Sequence, residues 1–176
     1  RIKELKTKEV KEKSFSHSQV LFKDYYAYNI DLIVFEMIDV LCRRLRTEKY
    51  QCRILHFGIS YSKNIGGGFH HSIKLDTNTD EEQILYRECM AIFEKFYIPH
   101  FPIRKVSIHL SGLVENNHRQ LNLFEEFEEM QKNIQIKDTI DDIKSRFGAN
   151  TIVRASSLLE DSTAIARNNM IGGHHA

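Results

Sequence analysis

Apolar and polar residues alternate in three stretches of the chain, and each alternation predicts a half-buried β-strand. Apolar side chains occupy every second position from Leu55 to Tyr61, within Arg104 to Leu110, and from Phe69 to Leu75 with His71 in one of the inward positions. The run from Lys13 to Leu21 is rich in hydroxyls and β-branched or aromatic residues and has few helix formers, which favours another strand. Four strands are therefore expected.

Helical periodicity appears in three other places. Seven apolar residues between Asn29 and Arg46 fall on one helical face. A second helix is predicted after a capping box from Thr79 to Glu82 and is expected to stop before Pro99. A third is predicted to end at Gly148 and to place one apolar stripe on a single face, formed by Ile136, Ile140, Ile143 and Phe147.

The element order β-α-β-β-α-β predicts an α+β fold. We expect a four-stranded, mainly antiparallel sheet with both helices on one face, followed by a C-terminal helical tail. The predicted organisation is a linker arm at 1–12, a compact domain at 13–112, a flexible segment at 113–130, and a C-terminal helix and tail at 131–176. The tail is expected either to pack on the domain or to dock on a partner.

The second face of the predicted sheet carries small or cationic hydrogen-bond donors. The alternation places no carboxylate among these positions of the last three strands, which favours contact with phosphates. The alternative is a face that meets only solvent. The positions are His56, Ser60, His70, Ser72, Lys74, Lys105, Ser107 and His109.

An RNA-recognition domain has the same element order and is the main structural competitor. That module exposes aromatic side chains on its central strands for base stacking. Here Phe57, Tyr61 and Phe69 fall on the core-facing positions. The predicted contact is therefore to the nucleic-acid backbone, and it should be independent of sequence and sensitive to salt.

Charge and cysteine content add limited information. Residues 1–112 carry 18 basic and 14 acidic residues, whereas residues 113–176 carry 7 and 10, so the two parts are expected to meet different partners. No run of eighteen apolar residues is present, and no membrane or secretion signal is recognised. Three scattered cysteines, Cys42, Cys52 and Cys89, favour reduced core residues of a cytoplasmic protein.

Several segments resemble the little-finger domain of Y-family translesion DNA polymerases, in the UV-damage-repair branch of Gram-positive bacteria and their plasmids or phages. The matching segments are Lys13 to Gln19, Phe57 to Lys63, Gly66 to Phe69 and Arg104 to Ile108. In that family the little finger lies along the DNA major groove and contacts phosphates, partly through backbone amides.

The resemblance implies a set of DNA contacts. Lys74 on the second face of the predicted sheet and Lys63 in the hairpin are added to that set. Related domains often carry arginine where this chain has His70 and His71, and neutral imidazoles at pH 7 would weaken the grip. The contacts implied by the resemblance are Ser14, Ser16, His17, Gly67, Gly68, His70, Lys105 and Ser107.

The stretch Gln120-Leu121-Asn122-Leu123-Phe124 is similar to the pentapeptide with which this family binds the bacterial sliding clamp. In that pattern Leu123 and Phe124, with Leu121, fill an apolar pocket while Gln120 satisfies polar groups at its rim. The alternative is that the three apolar residues dock in the core of the domain.

No catalytic residue is predicted, because no paired carboxylates suited to two metal ions are visible. The family carries such a pair, with two magnesium ions, before the little finger. The chain as given is therefore expected to lack polymerase activity and to need no cofactor. No metal site is predicted at His70 and His71 or at His174 and His175. The alternative function is a stand-alone adaptor that binds DNA and recruits partners to the clamp.

Overall fold

The computed structural model describes residues 13–116 and 127–170. The elements follow the predicted order and then continue into the tail. They are β1 (Phe15–Tyr25), α1 (Ile30–Thr47), β2 (Tyr50–Tyr61), β3 (Gly68–Thr79), α2 (Glu82–Phe96), β4 (Ile103–Ser111), β5 (Val114–Glu115), α3 (Phe127–Phe147), a 3-10 turn (Ala155–Leu158) and α4 (Ala164–Asn168).

The four long strands form an antiparallel sheet in the order β1-β4-β2-β3, which leaves β1 and β3 at its edges. The predicted α+β fold is confirmed. The sequence analysis did not predict β5, which pairs with Tyr50 and Gln51 of β2. Two residues are too few for an alternating pattern to be recognised.

Helices α1 and α2 pack against each other and cover one face of the sheet. The apolar face predicted for α1 is fully buried, since Ile33, Met37 and Leu41 have no exposed surface. Leu85 and Cys89 of α2 are equally buried, and the inward positions of β2 and β4 complete one core. Burial of each such side chain stabilises the fold by about 1.5–3 kcal/mol. Cys42, Cys52 and Cys89 are all buried and unpaired, as predicted.

The start of α2 differs from the predicted capping box. The residue flanking the helix is Glu81, and its backbone N–H donates to Thr79 Oγ1 at 3.1 Å. Glu82 is the first helical residue, and its carboxylate binds Arg46 of α1 instead of reaching back to a cap. The prediction was wrong because a cation on the neighbouring helix competes for that carboxylate.

Helix α3 packs on the domain mainly through charged residues, and its predicted apolar stripe is only partly covered, since Ile140 and Ile143 are half-buried. Ile136 and Phe147 are 55% and 72% exposed. The contacts run along Lys137, Asp141 and Lys144, which pair with acidic and basic residues of α1, α2 and the turn before α2. Gly148 closes the helix with φ +101°, as predicted.

The tail continues from α3 across α1 to the edge strand β1. Glu36 of α1 is 8% exposed and accepts hydrogen bonds from Ser162 Oγ, Thr163 N and Thr163 Oγ1 at 2.5, 3.1 and 3.1 Å. Arg167 then donates to the backbone oxygen of Val20 at 2.6 Å. Of the two alternatives for the tail, the structure shows packing on the domain. This packing also protects part of an exposed sheet edge.

Candidate nucleic-acid interface

The face of the sheet opposite the helices is organised in three transverse rows, which the strand register defines. The first row is Ser16, His109, His56 and Ser72; the second is Ser18, Ser107, Gly58 and His70; and the third is Val20, Lys105, Ser60 and Gly68. Successive residues of a strand point to opposite faces, so each row contains only residues of the open face. We call these three rows, together with Ile54, Lys74 and Ser111 beside them, the open face.

The open face offers donors and positive charge without a carboxylate. Lys74 and Lys105 are exposed, and neither forms an ion pair with any residue that the structure describes. The serines present short hydroxyls, and Ser107 Oγ already donates to the backbone oxygen of Gly58 at 3.3 Å. Lysines and hydroxyls are common phosphate ligands, so the chemistry of this face suits an anionic backbone.

Three histidines meet at the centre of the open face. The ring centroid of His56 lies 4.8 Å from that of His109 and 6.3 Å from that of His70. His56 Nδ1 lies 2.5 Å from Ser72 Oγ and Nε2 lies 2.9 Å from Ser111 Oγ. Partial burial, and then the neighbouring His109 and His70, lower the pKa of His56 below its ordinary 6.5. We call these three residues the histidine cluster.

Gly58 makes room for the histidine cluster. A Cβ atom at this position would lie 2.6 Å from His70 Cδ2 and 2.9 Å from the backbone oxygen of Phe69. The His70 ring therefore lies across the backbone of β2, which brings it towards His56. A side chain at position 58 would separate the two imidazoles.

The β2–β3 hairpin extends the open face at one end. Lys63 and the glycines that follow it are exposed. Gly66 and Gly67 have φ values of +72° and +76°, with no described heavy atom within 4 Å of the position of a Cβ. Gly66 N–H already donates to the backbone oxygen of Ser62 at 2.9 Å. The backbone amide of an exposed left-handed glycine such as Gly67 is a group that phosphates bind.

On the long strands, carboxylates appear only beyond the rows: Asp24 at the far end of β1, and Asp76 in the irregular stretch of β3. Asp24 lies past a register shift, 3.4 Å from Arg104 Nη1, and Ser62 Oγ donates to it. The charge of Asp24 is therefore partly neutralised by Arg104. The predicted absence of carboxylates holds for the paired rows and ends at this corner.

The structure separates one predicted contact, His17, from the others. His17 alternates with Ser16 and Ser18 and so points to the helical side, between the buried residues Phe15 and Gln19. Its ring is half-buried, with Nε2 at 3.2 Å from Gln19 Nε2. Burial, with Arg167 and Arg44 nearby, lowers the pKa of His17. β1 therefore turns the His17 side chain away from the open face, and a DNA contact at His17 stays a prediction outside that face.

The remaining described candidates lie on the open face or beside it. Lys63 and Gly67 lie in the hairpin, and Ser14 is exposed just before β1. Ser18 and Ser111 also reach the open face but were not predicted to do so. Only the strand register reveals them, since a short hydroxyl run has no periodicity of its own. The candidates within the rows or beside them are Ser16, Gly68, His70, Lys74, Lys105 and Ser107.

The proposed clamp pentapeptide, Gln120, Leu121, Leu123 and Phe124 with Asn122, lies outside the described residues. Its two flanks are described. Asn116 N donates to the backbone oxygen of Lys49 at 2.8 Å just before the segment, and α3 begins at Phe127. The segment predicted as flexible, 113–130, thus contains β5 near its start and the first residues of α3 at its end.

Metal chemistry finds no support in the described part of the chain. No group of three or more His, Cys, Asp or Glu side chains there is placed to hold a metal ion. In the histidine cluster, both nitrogens of His56 meet serine hydroxyls. His70 and His71 point to opposite faces, and His71 stacks on Phe96 with ring centroids 3.5 Å apart.

An open antiparallel sheet with two helices behind it and a donor-rich face is the architecture of a little-finger domain. The chain belongs to the impB/mucB/samB family, whose C-terminal domain it matches over residues 12–123. This is the C-terminal domain of Y-family polymerases. The match begins at the last residue of the predicted linker arm and covers the whole sheet and four of the five residues of the proposed clamp pentapeptide.

Curated relatives agree with this assignment. UvrX of Bacillus subtilis (strain 168), whose name assigns it to UV-damage repair, is 36% identical over 163 residues, 92% of this chain and 38% of UvrX. DNA polymerase IV 2 of Halalkalibacterium halodurans is 32% identical over 167 residues, 94% of this chain and 40% of that protein. The chain thus spans about two fifths of the length of these relatives. Among the described residues, no helix is long and apolar enough to cross a bilayer.

Proposed function

We propose that the chain is the DNA-binding and clamp-binding region of an error-prone translesion DNA polymerase that acts in DNA repair and damage tolerance, as in an SOS-type response. The observation that carries the proposal is the open face, whose rows combine lysines, serines and imidazoles without a carboxylate. The family assignment and the DNA-repair name of UvrX support it.

The open face suits the sugar-phosphate backbone better than the bases. Its side chains are short, apart from Lys74 and Lys105, and its paired rows present no phenylalanine, tyrosine or tryptophan ring for a base to stack on; the rings there are the imidazoles of the histidine cluster. The aromatic residues Phe57 and Tyr61 are buried beneath it. Contacts of this kind hold duplex DNA without reading its sequence, as a polymerase that moves along a template requires.

Replacement of Lys105 by alanine tests the DNA-binding proposal. We expect Lys105→Ala to weaken duplex binding equally for unrelated sequences and to reduce the slope of log affinity against log salt by about 0.9. The measurement is fluorescence anisotropy at several salt concentrations. Lys95→Ala is the matched control, since Lys95 is exposed on α2, in the helical layer. A loss confined to one sequence, or an equal loss in the control, would argue against a backbone grip.

The second part of the proposal is that Gln120 to Phe124 binds the bacterial sliding clamp. The pentapeptide follows the domain directly, between a hydrogen-bonded Asn116 and the start of α3. A short segment held at both flanks can present Leu123 and Phe124 to a preformed apolar pocket at a modest cost in chain entropy. The acidic balance of residues 113–176 sets this part apart from the DNA-binding face.

Clamp binding is tested by titration of purified clamp with the chain. The double variant Leu123→Ala plus Phe124→Ala should lose at least about tenfold in affinity, because two apolar anchors of the pocket are removed. Asn122→Ala is the control, since the family pattern turns that side chain away from the pocket. Unchanged affinity in the double variant would reject the clamp assignment.

We further propose that polymerase chemistry belongs to a catalytic region in a longer protein, where paired carboxylates would hold two magnesium ions. The greater length of the relatives supports this. With a primer-template, nucleotides and magnesium, the chain as given should bind the DNA and leave the primer unextended. Extension by the purified chain would contradict the proposal, and DNA binding in the same assay serves as its control.

A further inference from the structure

We propose that His56, His70 and His109 form one phosphate-binding site that takes up a proton as DNA binds, so that the grip on DNA tightens as the pH falls. This inference rests on the proposed DNA-binding function and adds its regulation. In this site His70 and His109 contact the phosphate, and His56 holds them in place from the strand between them.

The geometry joins the three imidazoles into one unit. His56 pairs across the sheet with His109, its ring centroid lies 4.8 Å from that of His109, and the His70 ring approaches it over Gly58. The two hydroxyls that meet the His56 nitrogens belong to Ser72 and Ser111. A hydroxyl either donates or accepts, so the same two serines satisfy a neutral or a protonated imidazole. Protonation of the cluster therefore leaves its hydrogen bonds intact.

The side chains around the histidine cluster on the paired strands are serines and lysines, so a bound anion would supply its counter-ion. From the neighbouring strands, β1 contributes Ser16 and Ser18, β3 contributes Lys74 and β4 contributes Lys105. The long strands carry described carboxylates beyond the rows at Asp24, which is paired with Arg104, and at Asp76, in the irregular stretch of β3 beyond Lys74. None of the paired positions of the four long strands carries a carboxylate. In the free protein burial, and then His109 and His70, disfavour protonation of His56, and an adjacent phosphate opposes this effect.

Proton linkage determines whether DNA affinity rises or falls as the pH decreases. The free protein holds the pKa of His56 below 6.5, through burial, His109 and His70. An adjacent phosphate raises the imidazole pKa, so the complex binds more protons than the free protein between the two pKa values. For uptake of one proton, affinity rises by at most about tenfold for each unit of pH decrease. The rise should appear between about pH 8 and about pH 6, where DNA phosphates do not titrate.

The test compares DNA affinity at several pH values and constant salt for the wild type and the triple variant His56→Gln, His70→Gln and His109→Gln, which removes the whole cluster. The wild type should bind at least about fivefold more tightly at about pH 6 than at about pH 8, whereas the variant should change by less than about twofold. At about pH 8 the two proteins should bind similarly, since unprotonated imidazoles and glutamine amides are both neutral hydrogen-bonding groups. His100→Asn is the matched control, because His100 is exposed in the loop after α2 and its φ of +67° suits asparagine.

A second measurement needs no variant. Calorimetry of wild-type binding at about pH 7, in buffers with different ionisation enthalpies, should show uptake of a fraction of a proton up to about one per complex. Binding without proton uptake, or with equal affinity across the pH range, overturns the inference and leaves the proposed DNA binding intact. Failure to bind duplex at any pH, even at low salt, overturns both.

Discussion

At the scale of single residues, Gly68 lies where a side chain has no room. Its φ is +146°, and a Cβ would lie 2.1 Å from the backbone oxygen of Ile59. We expect Gly68→Ala to destabilise the fold by about 2–4 kcal/mol, since backbone must move and the substitution adds conformational strain. Gly67→Ala, with φ +76° and open space around it, should cost about 1–2 kcal/mol. Urea unfolding curves compare the unfolding free energies of the two variants. An equal loss in both would show that the backbone at position 68 moves away from the added Cβ at little cost.

His17 makes stability depend on pH. Burial lowers its pKa in the folded protein, so the unfolded chain binds more protons once the pH falls below the ordinary 6.5. Stability should therefore decline between about pH 7 and about pH 5.5, and His17→Gln should reduce that decline. Thermal unfolding across this range measures it, with His100→Asn as the exposed control. A variant with the same pH dependence as the wild type would place the titrating group elsewhere.

At the scale of elements, one arginine joins α3 to both helices of the domain. Arg46 has a side chain only 7% exposed, and it binds Asp141 of α3 at 2.7 Å and Glu82 of α2 at 2.5 Å. Loss of the Asp141 charge leaves part of a buried cation unpaired. Asp141→Asn should therefore loosen α3 by about 1–3 kcal/mol and leave the sheet intact.

Hydrogen exchange of the α3 amides measures this loosening. Asp142→Asn is the matched control, because Asp142 is largely exposed and pairs only with Arg146 on the same helix. Increased exchange confined to residues 127–170 in the Asp141 variant is the expected pattern. Equal exchange in both variants would show that Arg46 does not anchor the helix.

The same helix shows what a sequence pattern can and cannot predict about an element. Periodicity predicted α1 correctly, because its partner is an apolar sheet that selects one apolar face. For α3 the apolar stripe indicated the contact face only in part, because the partner surface is charged and leaves Ile136 and Phe147 exposed. Arg46, Glu82 and Asp141 are far apart in the sequence, and each is as polar as an ordinary surface residue.

At the scale of the whole molecule, the open face was predicted and its internal arrangement was not. Period-two alternation separates the two faces of each strand, so the sequence already indicated that His56, Ser107 and His109 lie on the uncovered face of the sheet. Contact between the three imidazoles depends on strand order and on register across β4, β2 and β3. The face of His17 could not be predicted for a related reason, since the first strand has too few apolar residues to show which of its side chains point to the core.

The whole molecule also couples the two proposed binding sites. Residues 117–126, between the anchored Asn116 and the start of α3, can span at most about 35 Å. A clamp bound at Gln120 to Phe124 therefore stays close to the domain, and DNA passing through that clamp is presented to the open face at high effective concentration.

On clamp-loaded DNA, the apparent affinity should exceed that for DNA alone or clamp alone by about 10–100-fold. The variant Leu123→Ala plus Phe124→Ala should bind clamp-loaded DNA only as tightly as DNA alone. The variant Lys74→Ala plus Lys105→Ala should bind it about as tightly as the clamp alone. If clamp-loaded DNA binds no more tightly than the better single partner, the two sites do not engage together.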